Sequence, residues 1–72
     1  MKYYRILDFK QGSCYESIIF DNFNEGFYNL SNEWDRLTDH DKKLRDAFFL
    51  AEYKTYEDAE NNVNYDIAYK IK

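Results

Sequence analysis

The chain of 72 residues is 21% aromatic and 44% apolar, and it carries a formal net charge of −4. This length predicts a single domain, 1–72, whose core draws on large aromatic rings, and the apolar fraction argues against disorder. One cysteine, Cys14, excludes an internal disulfide and is typical of a reducing compartment. No run approaches the roughly 20 apolar residues of a membrane-spanning helix, and the first residues lack the apolar core of a secretion signal. We therefore expect a soluble, cytoplasmic protein with no membrane partner.

Residues 2–20 predict a β-hairpin. The run Lys2–Phe9 is rich in strand-forming residues, although its alternation is imperfect. Gly12 can adopt the positive φ of a turn. Tyr15–Phe20 is a second apolar run and is expected to form the returning strand.

Apolar residues that recur at steps of four and three predict an amphipathic helix: Phe23, Phe27, Leu30, Trp34 and Leu37. At about 100° per residue they fall on one narrow stripe. Asn22 can cap this helix by accepting from the backbone of Glu25, and Glu25 can reach back in a variant of the capping box. Gly26 costs some helix stability but permits close packing.

Two segments follow the long helix. Thr38 with Asp41 forms a second candidate cap, which opens a short charged helical turn ending at Arg45. Residues 47–53 fit a strand with aromatic rings on both faces, and they fit a helical pattern equally well. We favour the strand, because adjacent phenylalanines suit a pleated surface.

The last part of the chain predicts one helical turn and one strand. Thr55 can cap a turn over Glu57–Asn62. Apolar residues then alternate with polar or small ones, as in a strand with one solvated face: Tyr65, Ile67, Tyr69 and Ile71. The predicted fold is α+β in β-β-α-β-β order, an antiparallel sheet of about four strands with the 23–37 helix packed on one face.

Two groups of side chains are candidates for a metal site or a catalytic pair. The only cluster of metal-ligand types is Asp35, Asp39, His40 and Asp41. This cluster is expected at the surface beside lysines, and a solvated junction between helices explains it better than a metal site. Cys14 with His40 would form a nucleophile–base pair only if a third group oriented the imidazole, and no pattern indicates one. We therefore predict no catalytic residue, metal or cofactor.

A nucleic-acid alternative rests on tyrosines and basic residues near the termini: Tyr3, Tyr4, Arg5, Tyr69, Lys70 and Lys72. If the terminal strands lie side by side, the rings could stack on unpaired bases. However, the segment from Glu16 to Asp41 contains seven acids and one base, whereas phosphate binding requires concentrated lysine and arginine. Packing in the core or at an edge explains the tyrosines better, so nucleic acid is disfavoured as a partner.

The solvent-facing side of the predicted helix carries an aromatic residue that folding does not require. Tyr28 lies about 140° from the apolar stripe. Asn32, Asp35 and Asp39 follow it at four, seven and eleven positions, and we call these four residues the acidic ridge. Exposed tyrosine beside hydrogen-bonding residues is typical of protein interfaces, although a charged outer face is also the default for a surface helix. The acidic ridge is the candidate partner-binding site.

Four stretches form a recognisable series: the opening Lys2-Tyr3-Tyr4, then Glu33–Thr38, Asp41-Lys42-Lys43 and Phe48-Phe49-Leu50. This series resembles small uncharacterised proteins carried by phages, plasmids and conjugative elements of low-GC Gram-positive bacteria. The resemblance covers the middle half of the chain, and its most specific piece is Trp34–Thr38 with the charged turn that follows. It implies a mobile-element setting and an α+β fold, and it brings no catalytic residues.

The leading hypothesis is a non-enzymatic interaction protein of a mobile genetic element that binds a host or element-encoded protein. In its sharpest version the acidic ridge occupies the basic, DNA-contacting surface of a host defence nuclease. The alternative is an accessory protein that binds single-stranded nucleic acid through sheet tyrosines and terminal lysines. Exposed edge strands in so small a sheet also permit a homodimer.

Overall fold

A computed structural model describes residues 1–8, 13–14, 18–44 and 48–71, with 13–14 described by their backbone. The elements follow one another as β1 Tyr3–Asp8, β2 Ser13–Cys14, α1 Phe23–Arg36, α2 Asp39–Leu44, β3 Phe48–Tyr53, α3 Tyr56–Asn61 and β4 Ile67–Lys70. The predicted α+β class with an antiparallel sheet is confirmed.

The strands lie in the order β2-β1-β3-β4, and each named pairing is antiparallel. β1 pairs with β3 along its whole length, from Tyr3 opposite Tyr53 to Asp8 opposite Phe48. β4 pairs with the other side of β3. The two six-residue strands therefore form the centre of the sheet, and β4 forms one edge.

The predicted β-β-α-β-β order, with about four strands of ordinary length, is not matched. Three strands have four to six residues and β2 has only two, while α2 and α3 are helices in their own right. The strand predicted over Tyr15–Phe20 is the main difference, because the pairing with β1 lies at Ser13–Cys14 instead. Ile18 and Ile19 belong to no strand, and residues 15–17 lie outside the described residues.

The register explains why one continuous second strand does not form. Cys14 lies opposite Leu7, and Phe20 forms an isolated bridge opposite Tyr4. Three positions of β1 separate these two contacts, whereas six positions separate Cys14 from Phe20. One uninterrupted antiparallel ladder advances both strands equally, so it cannot hold both contacts.

The apolar stripe of α1 packs on one face of the sheet, as predicted. Leu30 is fully buried, and Phe23, Phe27 and Trp34 are half-buried. They pack with residues from the strands and from the approach to α1: Tyr4, Ile6, Phe20, Phe48 and Leu50. Among the described residues, this aromatic cluster is the larger of two core clusters.

The start of α1 also matches the prediction. Asn22 caps the helix, since its Oδ1 accepts a hydrogen bond from the backbone N–H of Glu25 at 3.0 Å. Gly26 is buried, and a Cβ atom added there would lie 3.2 Å from both Cδ atoms of Leu50. The absence of a side chain at this position therefore lets the helix approach β3 closely.

The second face of the sheet is covered by α3. Ala59 of that helix packs with Leu7, Phe49, Ala51 and Tyr53. All six residues of β3 are consequently buried, because the strand lies between two layers of helix. The strand favoured over 47–53 is confirmed from Phe48 to Tyr53, and Ala47 lies outside the described residues.

Polar contacts attach α3 to the sheet. The Arg5 side chain is buried, and its Nη1 donates to the carbonyl oxygens of Ala59 at 2.7 Å and Glu60 at 3.1 Å. A cation bonded to the last carbonyls of a helix satisfies groups that the helix itself leaves unpaired. The Tyr53 hydroxyl donates to Oδ1 of Asn62 at 2.6 Å, just beyond the helix.

The short helices have the predicted caps. Thr38 Oγ1 accepts from the backbone N–H of Asp41, and Thr55 Oγ1 accepts from that of Asp58, each at 3.1 Å. The end predicted for the first of these helices, Arg45, lies outside the described residues. β4 is shorter than the alternation predicts. In the described part of the chain, only Tyr69 of this edge strand is partly covered, through its packing on the α1 side of the sheet.

Candidate functional site

The outer face of α1, which we define as Tyr28, Asn32 and Asp35, lies opposite the apolar stripe. These residues are four and seven positions apart and therefore share one side of the helix. Tyr28 is 68% exposed, Asp35 is exposed and Asn32 is half-buried. The phenol ring of Tyr28 therefore contributes little to the core and remains accessible to a partner.

Asp39, the fourth member of the acidic ridge, lies on a different helix. α1 ends at Arg36, because Leu37 adopts an extended backbone with φ −73° and ψ 143°. The Leu37 N–H donates to the carbonyl oxygen of Trp34 at 3.1 Å, and Thr38 then caps α2. Asp39 is the exposed first residue of α2. The ridge predicted on one helix is therefore divided between two.

The outer face carries one charged residue of its own, Asp35. Glu33 and Arg36 pair with each other at 3.3 Å, so the one basic residue of α1 already has an acidic neighbour. Lys42 lies 5.5 Å from the centroid of the Trp34 ring, a cation–π contact beside the apolar stripe. Asp35 therefore sets the sign of the charge on the outer face.

The metal candidates do not converge. Asp35, Asp39 and His40 are exposed, and the Asp41 backbone completes the cap of α2. In the part of the chain that is described, no group of three or more His, Cys, Asp or Glu side chains could hold a metal ion. The side chain of Cys14 lies outside the described residues, so its predicted lack of a catalytic role stays a prediction.

The residues proposed for nucleic-acid stacking do not form one surface. β3 lies between β1 and β4, so the two terminal strands are not neighbours. Tyr4 is buried beneath α1, whereas Arg5 is bonded to α3 on the opposite face. The Tyr3 ring meets Tyr56 edge-on at 5.6 Å, and Lys72 lies outside the described residues. The terminal strands therefore do not lie side by side, as the nucleic-acid alternative requires.

One polar cluster was not predicted, namely a carboxylate enclosed beneath the N-terminal end of α1. Glu52 is only 5% exposed. It accepts a hydrogen bond from the Tyr69 hydroxyl at 3.1 Å and pairs with Lys2 at 3.5 Å. Tyr4 lies directly opposite Glu52 on β1. One feature of the sequence indicates this cluster, because Glu52 is the only charged residue in the run Phe48–Tyr53.

Burial and the enclosed carboxylate together make both tyrosines less acidic. Burial raises the pKa of Tyr4 and of Tyr69, and the hydrogen bond to Glu52 and its negative charge raise both further. Phenols of raised pKa stay protonated at neutral pH, so they act here as hydrogen-bond donors. The cluster therefore anchors the start of β1 to β3 and β4.

Comparison with known proteins does not add a function. In the described part of the chain, no helix is long and apolar enough to cross a membrane. Searches with protein-family models, curated proteins and solved structures gave no match for this chain.

Proposed function

We propose that this chain is a non-enzymatic protein-interaction module of a mobile genetic element that binds a host or element-encoded protein. The binding site is the outer face of α1, with Asp39 beside it at the start of α2. The observation that carries the proposal is the 68% exposure of Tyr28 on the side of α1 opposite the core. The mobile-element setting is implied by a resemblance. Trp34–Thr38 and the stretches around it resemble small proteins carried by phages, plasmids and conjugative elements.

The chemistry of the outer face defines the partner. Tyrosine is enriched at the energetic centres of protein interfaces, because its ring buries a large area and its hydroxyl can hydrogen-bond. Asn32 supplies a side-chain donor and acceptor, and Asp35 supplies negative charge. Such a surface is complementary to a basic one. The sharpest form of the proposal is therefore an inhibitor that covers the DNA-contacting surface of a host defence nuclease.

Affinity capture from host lysate tests the binding site with matched variants. The test variant is Tyr28→Ala/Asp35→Lys. The control is Tyr56→Ala/Glu57→Lys, which removes an exposed tyrosine and reverses an exposed acid on α3 instead. We expect a protein that is retained by the wild type and the control and lost by the test variant. If every captured protein binds both variants equally, the outer face is not the binding site.

Two further assays decide the class of partner. The captured protein, once purified, is assayed for DNA cleavage with and without the module, and inhibition that requires Tyr28 and Asp35 supports the nuclease version. A fluorescent single-stranded oligonucleotide is titrated with the module at low salt, where electrostatic binding is strongest. Tight oligonucleotide binding would contradict the proposal and favour the nucleic-acid alternative.

A further inference from the structure

In the described part of the chain, α2 contributes no residue to either core cluster. None of its six residues is buried, and its one aliphatic residue, Leu44, is 47% exposed. A helix of this length is not stable by itself in water. Elements with little buried apolar surface also open locally at a low cost in free energy. The contacts between α2 and α1 therefore decide how much of the time α2 stays folded and in place.

A side-chain contact joins α2 to α1. Nζ of Lys42 lies 5.5 Å from the centroid of the Trp34 ring, which is within the range of a cation–π contact. Trp34 itself packs on Phe48 of the sheet, with ring centroids 5.8 Å apart. Lys42 is half-buried, whereas Lys43 beside it is exposed. The Trp34 ring therefore engages one of two adjacent lysines, and the other provides a matched comparison.

The same contact orients Asp39. Asp39 and Lys42 are three positions apart, so they lie on one side of α2. Because Lys42 reaches the Trp34 ring, this side of α2 is turned towards α1. Asp35 and Asp39 are four residues apart, so their Cα atoms lie within about 14 Å of each other in any conformation. Within that limit, the orientation of α2 decides whether Asp39 extends the outer face or points away from it.

The contact also keeps Lys42 from neutralising Asp39. An acid and a base three positions apart on a helix can form an ion pair. Among the described residues, however, no basic side chain pairs with Asp39. The ammonium group of Lys42 lies over the Trp34 ring instead. The contact therefore affects both the position of the Asp39 carboxylate and its charge.

We propose that α2 exchanges between a docked state, in which Lys42 contacts Trp34 and Asp39 extends the outer face, and a released state without this contact. Lys42 is then a positioning residue for Asp39. This inference rests on the proposed function for the role of Asp39, because a second acid beside Asp35 increases complementarity to a basic partner. A partner that contacts Asp39 binds the docked state more tightly and shifts α2 towards it.

The strength of the contact sets the size of the effect. A cation–π contact at an exposed site shifts an equilibrium by about two- to fivefold. Removal of the Lys42 charge should therefore lower the ratio of docked to released α2 by that factor. Because the two equilibria are linked, the affinity for the partner falls by no more than the same factor. α2 therefore modulates the site, and the outer face of α1 remains the main binding surface of the proposal.

Nuclear magnetic resonance of the free protein tests the docked state. Protons that lie over an aromatic ring resonate upfield. The methylene protons next to the Lys42 ammonium group are therefore expected upfield of those of Lys43. Lys42→Arg keeps a cation that can lie over the ring and is expected to keep the upfield shift in its own side chain. Equal proton shifts for Lys42 and Lys43 in the wild type overturn the proposal.

Amide hydrogen exchange tests whether the contact holds α2 in place. The backbone N–H of Lys42 donates to the Thr38 carbonyl at 2.9 Å, so its exchange requires α2 to open. Lys42→Gln is expected to lower the protection of this N–H by about two- to fivefold, and Lys42→Arg to retain it. Lys43→Gln makes the same change at the exposed position and is expected to leave the protection unchanged. Equal protection in the two glutamine variants overturns the positioning role, as does a loss in Lys42→Arg.

These measurements separate the inference from the proposed function. Both use the free chain, so their failure overturns the positioning role of Lys42 and leaves the affinity capture with Tyr28→Ala/Asp35→Lys to decide the binding site. Failure of that capture experiment removes the role of Asp39 in binding. The upfield shift of Lys42 and the protection of its N–H then still report the docked state.

Discussion

The two faces of α1 differ in what they contribute. The inner face carries four residues of the apolar stripe, Phe23, Phe27, Leu30 and Trp34, which are buried or half-buried against the sheet, with Leu30 fully enclosed. The outer face carries Tyr28, Asn32 and Asp35, of which Tyr28 is mostly exposed. Phe27 and Tyr28 are adjacent aromatic residues in the sequence, yet one belongs to the core and the other to the surface. Aromatic character alone therefore does not indicate a role, whereas position on the helix does.

The largest expected loss of stability comes from a substitution on the inner face. Leu30→Ala removes a fully buried side chain and leaves a cavity, so the free energy of unfolding should fall by about 2–5 kcal/mol. Urea titration followed by circular dichroism measures this change. At the upper end of this range the variant of so small a domain should be largely unfolded at room temperature, which circular dichroism without urea detects. A loss below about 1 kcal/mol would mean that the inner face is not the centre of the core.

Gly26→Ala tests how closely α1 approaches the sheet. The added Cβ would lie 3.2 Å from both Cδ atoms of Leu50, which is itself buried. Overpacking of about 1–3 kcal/mol should outweigh the helix-propensity gain of about 1 kcal/mol, leaving the variant less stable by about 1 kcal/mol. In a Leu50→Val background, which lacks the Cδ atoms, the same substitution should be stabilising. A stabilising effect in both backgrounds would contradict the close approach.

The cluster beneath the N-terminal end of α1 predicts an alkaline loss of stability. The pKa values of Tyr4 and Tyr69 are raised in the folded protein above the unfolded value of 10.0. Between the unfolded and folded values the unfolded chain loses its protons first, so the stabilising contribution is complete below pH 10 and is lost as the pH rises further. Urea midpoints across this range should fall, and less steeply in Tyr69→Phe. Equal slopes in the two proteins would exclude Tyr69 as a source.

The smallest expected effect on stability is on the outer face. Tyr28→Ala should change the free energy of unfolding by no more than about 0.5 kcal/mol, because most of the side chain is already in water. Thermal unfolding of this variant beside Phe27→Ala provides the direct comparison, since Phe27 packs on the core from the next position. Equal losses in the two variants would remove the distinction between the faces.

Periodic features could be predicted from the sequence. The apolar stripe, the Asn22, Thr38 and Thr55 caps and the close packing at Gly26 all follow from local spacing and residue type. The end of α1 was harder to predict, because the stripe continues through Leu37 whereas the backbone becomes extended there. The extended backbone at Leu37 ends α1 and therefore places Asp39 on a different helix from the outer face.

The second core could not be predicted because its residues carry no regular pattern. β3 is buried on both sides, so apolar alternation is lost. On the α3 side, the buried residues include small ones such as Ala51 and Ala59. They also include Arg5, although arginine usually indicates a surface position. Arg5 is accommodated through hydrogen bonds to a helix distant in sequence. Such long-range compensation is not visible in local spacing.

The most direct test is the affinity of the captured partner for Tyr28→Ala/Asp35→Lys, measured by titration at equal concentrations of folded protein. We expect at least about a tenfold weaker affinity than for the wild type, with a free energy of unfolding within about 0.5 kcal/mol of the wild-type value. Wild-type affinity in this stable, folded variant would contradict the assignment of folding to the inner face of α1 and binding to its outer face.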